Sequence, residues 1–284
     1  MNPIIVRRSS AIGDVVTTLA LCAAIKEFSQ RPVRLVCHPK IAPMAKNSPQ
    51  VDSVVSDSVV STHGTFHVEL DGCEHGPEAK KTHLQAIFFS KAQSDLHAMG
   101  ITLPASSWSE YRPYLEAPLR PDNPACIGVC PSAMPEYRTR WTNDDLWVKF
   151  AGEMENERLL WLSHYRPAPG GTPFKKSPYL NLRIQTTDGL LNAIANCKLV
   201  VTVDTGPMHI ACALNIPVVA ISQSFDVKYR IPPGYDRWKA VYPTLQCLNC
   251  QQHKCPLPNK AFMPPCNDID VGQVVKACRE LLEK

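Results

Sequence analysis

The chain has 284 residues, of which 44% are hydrophobic and 20% are charged, and its formal net charge is +4. This composition is typical of a folded globular protein and excludes a disordered chain. The mildly basic balance suits an anionic substrate but is weaker than that of most dedicated nucleic-acid-binding proteins. No apolar run approaches the ~18–20 residues needed to cross a bilayer, and the opening residues lack a signal-peptide layout. We therefore expect a cytoplasmic protein with no transmembrane segment.

The first part of the chain alternates apolar strand patterns with helical patterns. Strands are expected at Ile4–Val6, Val33–Cys37, Val51–Val55 and Phe66–Leu70. Helices are expected at Val15–Phe28, Ala42–Lys46 and Lys80–Met99, the last closed by Gly100. Strands separated by helices predict a parallel sheet with right-handed crossovers, which is an α/β fold.

A proline-rich segment without periodicity, Leu103–Pro124, is the best linker candidate, and the alternation restarts after it. Further strands are expected at Ala125–Cys130, Arg158–Ser163, Leu199–Val203 and Val218–Ser222. Further helices are expected at Asp144–Met154, Thr187–Ala195, Pro207–Leu214 and Asp268–Leu282. An irregular stretch, Arg166–Pro178, stands where a crossover helix would normally run. We expect one domain at residues 1–120, a second at 121–267, and a C-terminal helix at 268–284.

Two turns of small and polar residues follow predicted strands and open predicted helices. One is Ser9–Asp14, and the other is Asp204–His209. The start of a helix presents backbone N–H groups without partners and the positive end of the helix dipole, which together bind phosphate and other anions. Two such turns predict two nucleotide-binding halves that face one cleft.

The 12 cysteines fall into two kinds. Most lie in apolar patterns and are expected to be buried free thiols. Segment 245–267 is different, because it is rich in proline and contains a C-x2-C pair with two further cysteines. Four thiolates at this spacing suit a tetrahedral Zn or Fe site that is structural, because four protein ligands leave no open position. The candidate ligands are Cys247, Cys250, Cys255 and Cys266, with His253 as a substitute for one of them. The alternative is a loop of free thiols or a labile disulfide.

Four pieces in order resemble a known family. They are Ser9–Val15 after the opening strand, Arg138–Trp141, Asp204–His209 and the cysteine segment Cys247–Cys266. Together they resemble glycosyltransferase family 9, the heptosyltransferases that use ADP-heptose. The resemblance implies two facing Rossmann-like domains in the GT-B arrangement, with the C-terminal helix packing back on the first domain. It also implies an inverting transfer from a nucleotide-diphospho-sugar, and iron is a credible metal because some members of the family carry such a centre.

On the acceptor side, the resemblance makes Asp14 the candidate general base. A carboxylate within hydrogen-bond reach of the acceptor hydroxyl can take its proton, and partial burial raises its pKa toward working pH. The alternative is an acidic residue that caps or stabilises the first turn of its own helix. Arg7 and Arg8 are candidates to hold an anionic acceptor, or are solvated charges at a strand end. Ser9, Ser10 and Gly13 complete the predicted acceptor site, although the serines also suit helix capping.

On the donor side, the diphosphate has two candidate holders. One is the turn Thr205-Gly206-Pro207-Met208-His209, through the N–H groups of Gly206, Met208 and His209. The other is Arg138 or Arg140, whose guanidinium offers forked hydrogen bonds to phosphate. Asp204 is expected to accept from a sugar hydroxyl or from the turn, or to cap its own helix. No catalytic metal is expected, because dipoles and arginines can stabilise the leaving group.

Several functions remain open from the sequence. The leading one is a glycosyltransferase that moves a heptose or hexose to a glycan, to a protein hydroxyl, or to a modified base in DNA as a phage-type enzyme for hydroxymethylated bases would. A second is a sugar-nucleotide epimerase or hydrolase on the same fold. A third is a non-catalytic nucleotide-binding protein whose cysteine segment makes an oligomer contact.

Overall fold

The computed structural model describes residues 1–58, 66–74, 81–117, 125–134, 138–163, 178–182, 184–245, 250–252, 255 and 264–283. Within them, two parallel sheets are joined by helices. The first sheet contains β1 (Ile4–Arg7), β2 (Val33–Cys37), β3 (Ser53–Ser56) and β4 (Val68–Glu69). The helices of this part are α1 (Ile12–Ser29), α2 (Ala42–Ala45) and α3 (Leu84–His97).

The second sheet has six strands. They are β5 (Cys126–Cys130), β6 (Arg158–Trp161), β7 (Tyr179–Asn181), β8 (Cys197–Val203), β9 (Val218–Ile221) and β10 (Trp238–Val241). Its helices are α4 (Asp144–Glu153), α5 (Thr187–Ala195), α6 (Gly206–Ala213) and α7 (Val271–Leu282). The α/β class and the two-sheet arrangement agree with the sequence prediction.

The strand order explains where a ligand would bind. The first sheet runs β3-β2-β1-β4, and the second runs β10-β9-β8-β5-β6-β7. Each order reverses direction once along the chain, between β1 and β4 in the first sheet and between β5 and β8 in the second. In parallel α/β sheets, ligands bind beyond the carboxyl ends of the strands at this reversal. The chain leaves β1 toward Asp14 and β8 toward Asp204, so both predicted turns lie at such positions.

Burial follows the strand positions. All residues of β5 and β9 are buried, and so is every residue of β8 except Lys198. Such continuous apolar runs are typical of central parallel strands covered on both faces. The edge strands β7 and β10 were not predicted, because both are short and β10 is mostly half-exposed.

Helix α7 packs on the second sheet. Val274, Val275, Cys278 and Leu281 are buried in one apolar cluster with residues of β8, β9 and α4. Its N-cap is Asp270, whose carboxylate accepts from the N–H of Gly272 at 2.9 Å. The expectation that the C-terminal helix packs on the first domain is therefore wrong for the described residues: the helix supplies an apolar stripe that covers the second sheet.

The two halves are in direct contact. Helices α1, α5 and α6 share one apolar cluster with the first sheet. Hydrogen bonds also cross between the halves, among them Thr187 Oγ1 to the Lys40 carbonyl at 2.6 Å, the Leu115 N–H to the Ala213 carbonyl at 3.1 Å, and His83 Nε2 to the Ile231 carbonyl at 2.7 Å. The described part of the predicted linker thus packs on the protein instead of spanning open solvent. The irregular stretch at 166–177 lies outside the described residues.

None of the helices described is both long enough and apolar enough to cross a bilayer.

Candidate functional site

The two predicted turns meet where α1 and α6 begin. Gly13 lies so close to the imidazole of His209 that an added Cβ would be 2.5 Å from Cδ2. Gly206 lies close to Ile12 in the same way, because an added Cβ there would be 2.9 Å from the isoleucine Cβ. His209 Nδ1 is also 3.4 Å from Thr17 Oγ1 on α1. The turns therefore face each other, and glycine is required on both sides because no larger residue fits.

The helix starts at this junction share the lack of a side-chain cap with the short helix α2 and differ in this from the other helices. Four helices have a side-chain N-cap, from His83, Asn143, Thr186 and Asp270. Within the described residues, α1 and α6 begin without any capping hydrogen bond from a side chain. Asp14, Asp204, Ser9 and Ser10 therefore do not cap these two helices through their side chains, but the alternative that Asp14 is an acidic residue of the first turn is confirmed. Asp14 instead lies in the first turn of α1, where the helix dipole favours a negative charge.

Arg8 is a buried charge behind the first turn. Its side chain is 2% exposed and forms ion pairs with Asp14 and Glu74. Nη1 donates to the Leu70 carbonyl at 2.7 Å, and the guanidinium lies over the ring of Phe88. Burial acts to lower the pKa of Arg8, but hydrogen bonds and charge from Glu74 and Asp14 outweigh it and raise the pKa. Arg8 thus contacts protein carboxylates and is not positioned to meet a bound acceptor, contrary to the sequence expectation.

Asp14 keeps a partly open carboxylate beside this cation. Its side chain is 20% exposed. Burial raises its pKa above the ordinary value, opposed by the charge of Arg8 and reinforced by the charge of Glu74. The result is a carboxylate that is accessible, held by one arginine and more basic than a solvated aspartate.

The remaining acceptor-side candidates lie at the end of β1 and in the turn that follows it. Arg7 is 31% exposed and pairs with Glu69 at 2.8 Å. The N–H of Ser9 donates to Asp71 Oδ1 at 2.8 Å, and Ser10 is exposed. Arg7 and Ser10 are therefore accessible to a ligand, whereas the Ser9 N–H is already bonded.

Asp204 is the centre of the second half of the site. Its side chain is 8% exposed; Oδ2 lies 3.4 Å from Arg140 Nη1, and Oδ1 lies 3.8 Å from His209 Nε2. Burial acts to raise its pKa, but the interaction with His209 and the charges of Arg140 and Arg230 prevail and hold the pKa well below its ordinary value. Asp204 is thus a carboxylate that stays charged near neutral pH and orients Arg140 and His209.

The turn after Asp204 is only partly available to an anion. Thr205 and Gly206 are half-exposed, whereas Pro207, Met208 and His209 are buried. The N–H of Met208 donates to the Thr205 carbonyl at 3.0 Å. The prediction that the Met208 N–H binds phosphate therefore requires that bond to break, and Gly206 is the better-placed member of the turn.

Two residues of the site, Phe225 and Arg230, were not predicted from the sequence. The guanidinium of Arg140 lies 4.1 Å from the centre of the Phe225 ring, and that of Arg230 lies 5.1 Å from it. Phe225 follows β9, next to β8 in the sheet, so the signal was a strand end adjacent to the one that carries Asp204. Arg138 lies on the same 3-10 turn as Arg140, and its side chain lies outside the described structure.

The cysteine segment is described only in part. Cys247 and His253 lie outside the described residues, Cys250 and Cys255 are half-buried, and Cys266 is buried. The described cysteines are free thiols, and within the described residues no three histidine, cysteine or acidic side chains gather as a metal site would require. The described donors alone do not fit a four-coordinate metal.

The segment nevertheless contacts the donor side. Cys266 Sγ donates to the Thr139 carbonyl at 3.8 Å, and Thr139 Oγ1 donates to the Gln252 carbonyl at 2.6 Å. The Gln223 amide donates to the carbonyls of Trp141 and Cys266. These bonds fix the 3-10 turn that carries Arg140.

Neither of the two cavities measured involves Asp14 or Asp204. One, of about 380 Å³, lies beside α3 at Ser90 and His97. The other, of about 320 Å³, lies between Tyr114, Cys212 and Tyr235.

The match to a protein family lies in the second half of the chain. Residues 186–261 match the family model described as glycosyltransferase family 9 (heptosyltransferase). Lipooligosaccharide heptosyltransferase 2 of Campylobacter jejuni is 31% identical over 98 residues, which cover 34% of this chain and 30% of that protein. The aligned segment thus spans under a third of the relative's length.

Solved structures match over nearly the whole chain. A glycosyl transferase family 9 protein from Veillonella parvula gives a TM-score of 0.67 at 16% identity, covering 99% of this chain and 98% of that one. The iron-containing dodecameric glycosyltransferase TibC from enterotoxigenic E. coli gives a TM-score of 0.68 at 14% identity, covering 98% of this chain and 75% of that one. These structures confirm the GT-B-type fold, and the family model confirms the resemblance to glycosyltransferase family 9 over residues 186–261.

Proposed function

We propose that this chain is an inverting glycosyltransferase that moves a heptose or hexose from a nucleotide-diphospho-sugar to an acceptor hydroxyl. The observation that carries the proposal is the meeting of the two turns: an accessible, basic Asp14 on α1 faces the Asp204–His209 turn of α6. A transferase of this kind needs a base and a diphosphate site on opposite sides of one sugar.

On the acceptor side, Asp14 takes the proton of the attacking hydroxyl. Its raised pKa makes it a better base than a solvated carboxylate, and Arg8 keeps it ionised and oriented. Arg7, which is partly exposed at the end of β1, supplies positive charge for an anionic acceptor. Arg8 has no direct contact with the acceptor in this proposal.

On the donor side, the leaving diphosphate binds to Gly206 and the uncapped start of α6, where N–H groups and the helix dipole favour anions. Arg140, with an 18% exposed side chain, lies beside this start and adds a forked donor. Arg230, which stacks on the same Phe225 ring, adds a second positive charge. These groups stabilise the charge that develops as the sugar departs.

The donor and acceptor classes come from the relatives. TibC has been solved in complex with ADP-D-beta-D-heptose, and the Campylobacter relative is named a lipooligosaccharide heptosyltransferase. These names support an ADP-sugar as the donor and a glycan as the acceptor. A protein or DNA acceptor, and an epimerase or hydrolase, have no observation of their own in their favour.

The metal of the cysteine segment stays a prediction. It is supported by the spacing of Cys247, Cys250, Cys255 and Cys266 and by the description of TibC as iron-containing. If bound, the Zn or Fe would hold the segment against the turn of Arg140. No step of the proposed transfer passes through it.

The test combines donor binding with product analysis. ADP-, UDP-, GDP- and CDP-sugars are compared by thermal shift, and a ligand at 100 times its dissociation constant stabilises a fold by about 2.7 kcal/mol. The stabilising donor is then incubated with a lipooligosaccharide core acceptor, and the anomeric configuration of the product is read by NMR. An inverted glycoside supports the proposal. Free sugar without any acceptor product contradicts it and favours a hydrolase.

A further inference from the structure

We propose that Glu74 is a positioning residue. Both of its carboxylate oxygens accept from the buried guanidinium of Arg8, and this fixes the orientation in which the guanidinium contacts Asp14. The inference rests on the proposed function, because it concerns the residue proposed there as the base. Glu74 does not touch the substrate in this proposal.

The geometry is a shared guanidinium. Arg8 Nη1 donates to Glu74 Oε2 at 2.8 Å, and Nη2 donates to Glu74 Oε1 at 2.7 Å. Nη2 also donates to Asp14 Oδ2, so one nitrogen serves both carboxylates. A paired contact of this kind restricts the rotation of the guanidinium plane. Because Arg8 is 2% exposed, the plane cannot turn to solvent instead.

The charges favour the same conclusion. If Arg8 faced Asp14 alone, it would neutralise that carboxylate and make it a poor base. Because Glu74 also pairs with Arg8, the guanidinium does not neutralise Asp14 alone, and Glu74 adds a second negative charge near Asp14. Burial raises the pKa of Asp14 most strongly, the charge of Glu74 raises it further, and Arg8 and His209 lower it.

Other groups around Asp14 do not replace Glu74. Asp71 Oδ1 is 3.8 Å from Arg8 Nη1, and its nearest hydrogen bond is from the N–H of Ser9. Cys73 lies close by, but burial raises the pKa of its thiol to about 11, so it stays neutral near pH 7. His209 faces Asp14 from α6, but the charged group nearest to its Nε2 is Asp204, at 3.8 Å.

The experiment compares Glu74→Gln with the wild-type enzyme in the rate of sugar transfer, measured as kcat/KM across the acidic and neutral pH range. We expect the acidic limb to move to lower pH by about one unit, because loss of a nearby like charge lowers a carboxyl pKa by this order. Glu74→Asp, which keeps the charge, should keep the limb near its wild-type position while lowering kcat. A salt bridge with only a structural role would change the melting temperature but not the limb.

Glu157→Gln is the matched control. Glu157 is also partly buried and pairs with Lys198 at 2.6 Å, but it lies on the second half, away from Asp14. Its profile should superimpose on that of the wild type. If Glu74→Gln also superimposes while Asp14→Asn is inactive, the role of Glu74 is overturned and the proposed function stands. If Asp14→Asn keeps wild-type activity, the proposed function itself fails and this inference fails with it.

Discussion

The imidazole of His209 lies against Gly13, and no side chain larger than hydrogen fits between them. This contact joins the start of α1, which carries Asp14, to the start of α6, which carries the proposed diphosphate turn. The relative position of the proposed base and the proposed diphosphate site thus depends on this contact between a glycine of the first half and a histidine of the second.

Gly13→Ala should separate the two turns. Its Cβ would lie 2.5 Å from His209 Cδ2 and 2.9 Å from Nε2, so the helices must shift. We expect a loss of about 1–3 kcal/mol in the free energy of unfolding, as for other overpacked sites, together with a fall in transfer activity. Urea unfolding and initial rates measure the two effects.

Gly152→Ala on α4 is the control for this prediction, because an added Cβ there meets nothing within 4 Å. It should be neutral or slightly stabilising, since alanine favours a helix over glycine by up to about 1 kcal/mol. In a double variant with His209→Ala, the destabilisation by Gly13→Ala should largely disappear. Equal destabilisation with and without the imidazole would show that His209 is not the obstacle.

Arg140→Gln should destabilise the protein and weaken donor binding. It leaves the buried carboxylate of Asp204 without its arginine, and breaking a buried pair typically costs about 3–5 kcal/mol. The partial exposure of Arg140 places the expected effect at the lower end of that range. Arg237→Gln, at an exposed arginine that donates to the Asn215 carbonyl, should leave both quantities close to wild type. Undiminished donor affinity in Arg140→Gln would remove this residue from the proposed diphosphate site.

Asp204 predicts a specific acid sensitivity. Its pKa in the folded protein lies below the unfolded value of about 3.9. The unfolded chain therefore binds a proton at this carboxyl before the folded one does, so the stabilisation is fully present above about pH 4 and is lost as pH falls below it. The difference in unfolding free energy between wild type and Asp204→Asn should be constant near neutrality and shrink in acid. If the difference in unfolding free energy between the wild type and Asp204→Asn grew in acid, the pKa of Asp204 would not be lowered by folding.

The cysteine segment predicts bound metal. Protein purified without chelator should contain about one Zn or Fe per chain by elemental analysis, and Cys250→Ser with Cys255→Ser should lose it. Loss of metal should lower the melting temperature, because a structural metal contributes directly to folding. Cys278→Ser is the control, since that thiol is buried on α7. Metal-free wild-type protein with an unchanged melting temperature would refute the site.

The alternation of strands and helices was predictable because each element repeats a simple pattern. Central strands such as β8 and β9 are covered on both faces and therefore give uninterrupted apolar runs. The edge strand β10 lacks that signal, because Trp238, Lys239 and Ala240 are only half-buried. The amphipathic pattern of α7 indicates which face is buried but not which sheet it covers, and its partner was predicted wrongly.

The site was predictable in its backbone and not in its side-chain pairs. Turns at Asp14 and Asp204 follow from strand-to-helix junctions, which are visible in the sequence. The pairing of Arg8 with Glu74 joins residues 66 positions apart, and that of Arg140 with Asp204 joins residues 64 apart. Such pairs depend on how the strands are ordered in the sheets, which no local pattern records.

The most direct test of the central claim is the rate of sugar transfer by Asp14→Asn, measured beside its donor affinity. We predict a fall in kcat of about 10²–10⁴-fold, as for loss of a general base, with donor affinity close to wild type. The melting temperature should stay close to that of the wild type, because Glu74 still pairs with the buried Arg8 when the charge of Asp14 is removed. Wild-type turnover by a folded Asp14→Asn enzyme would contradict the account.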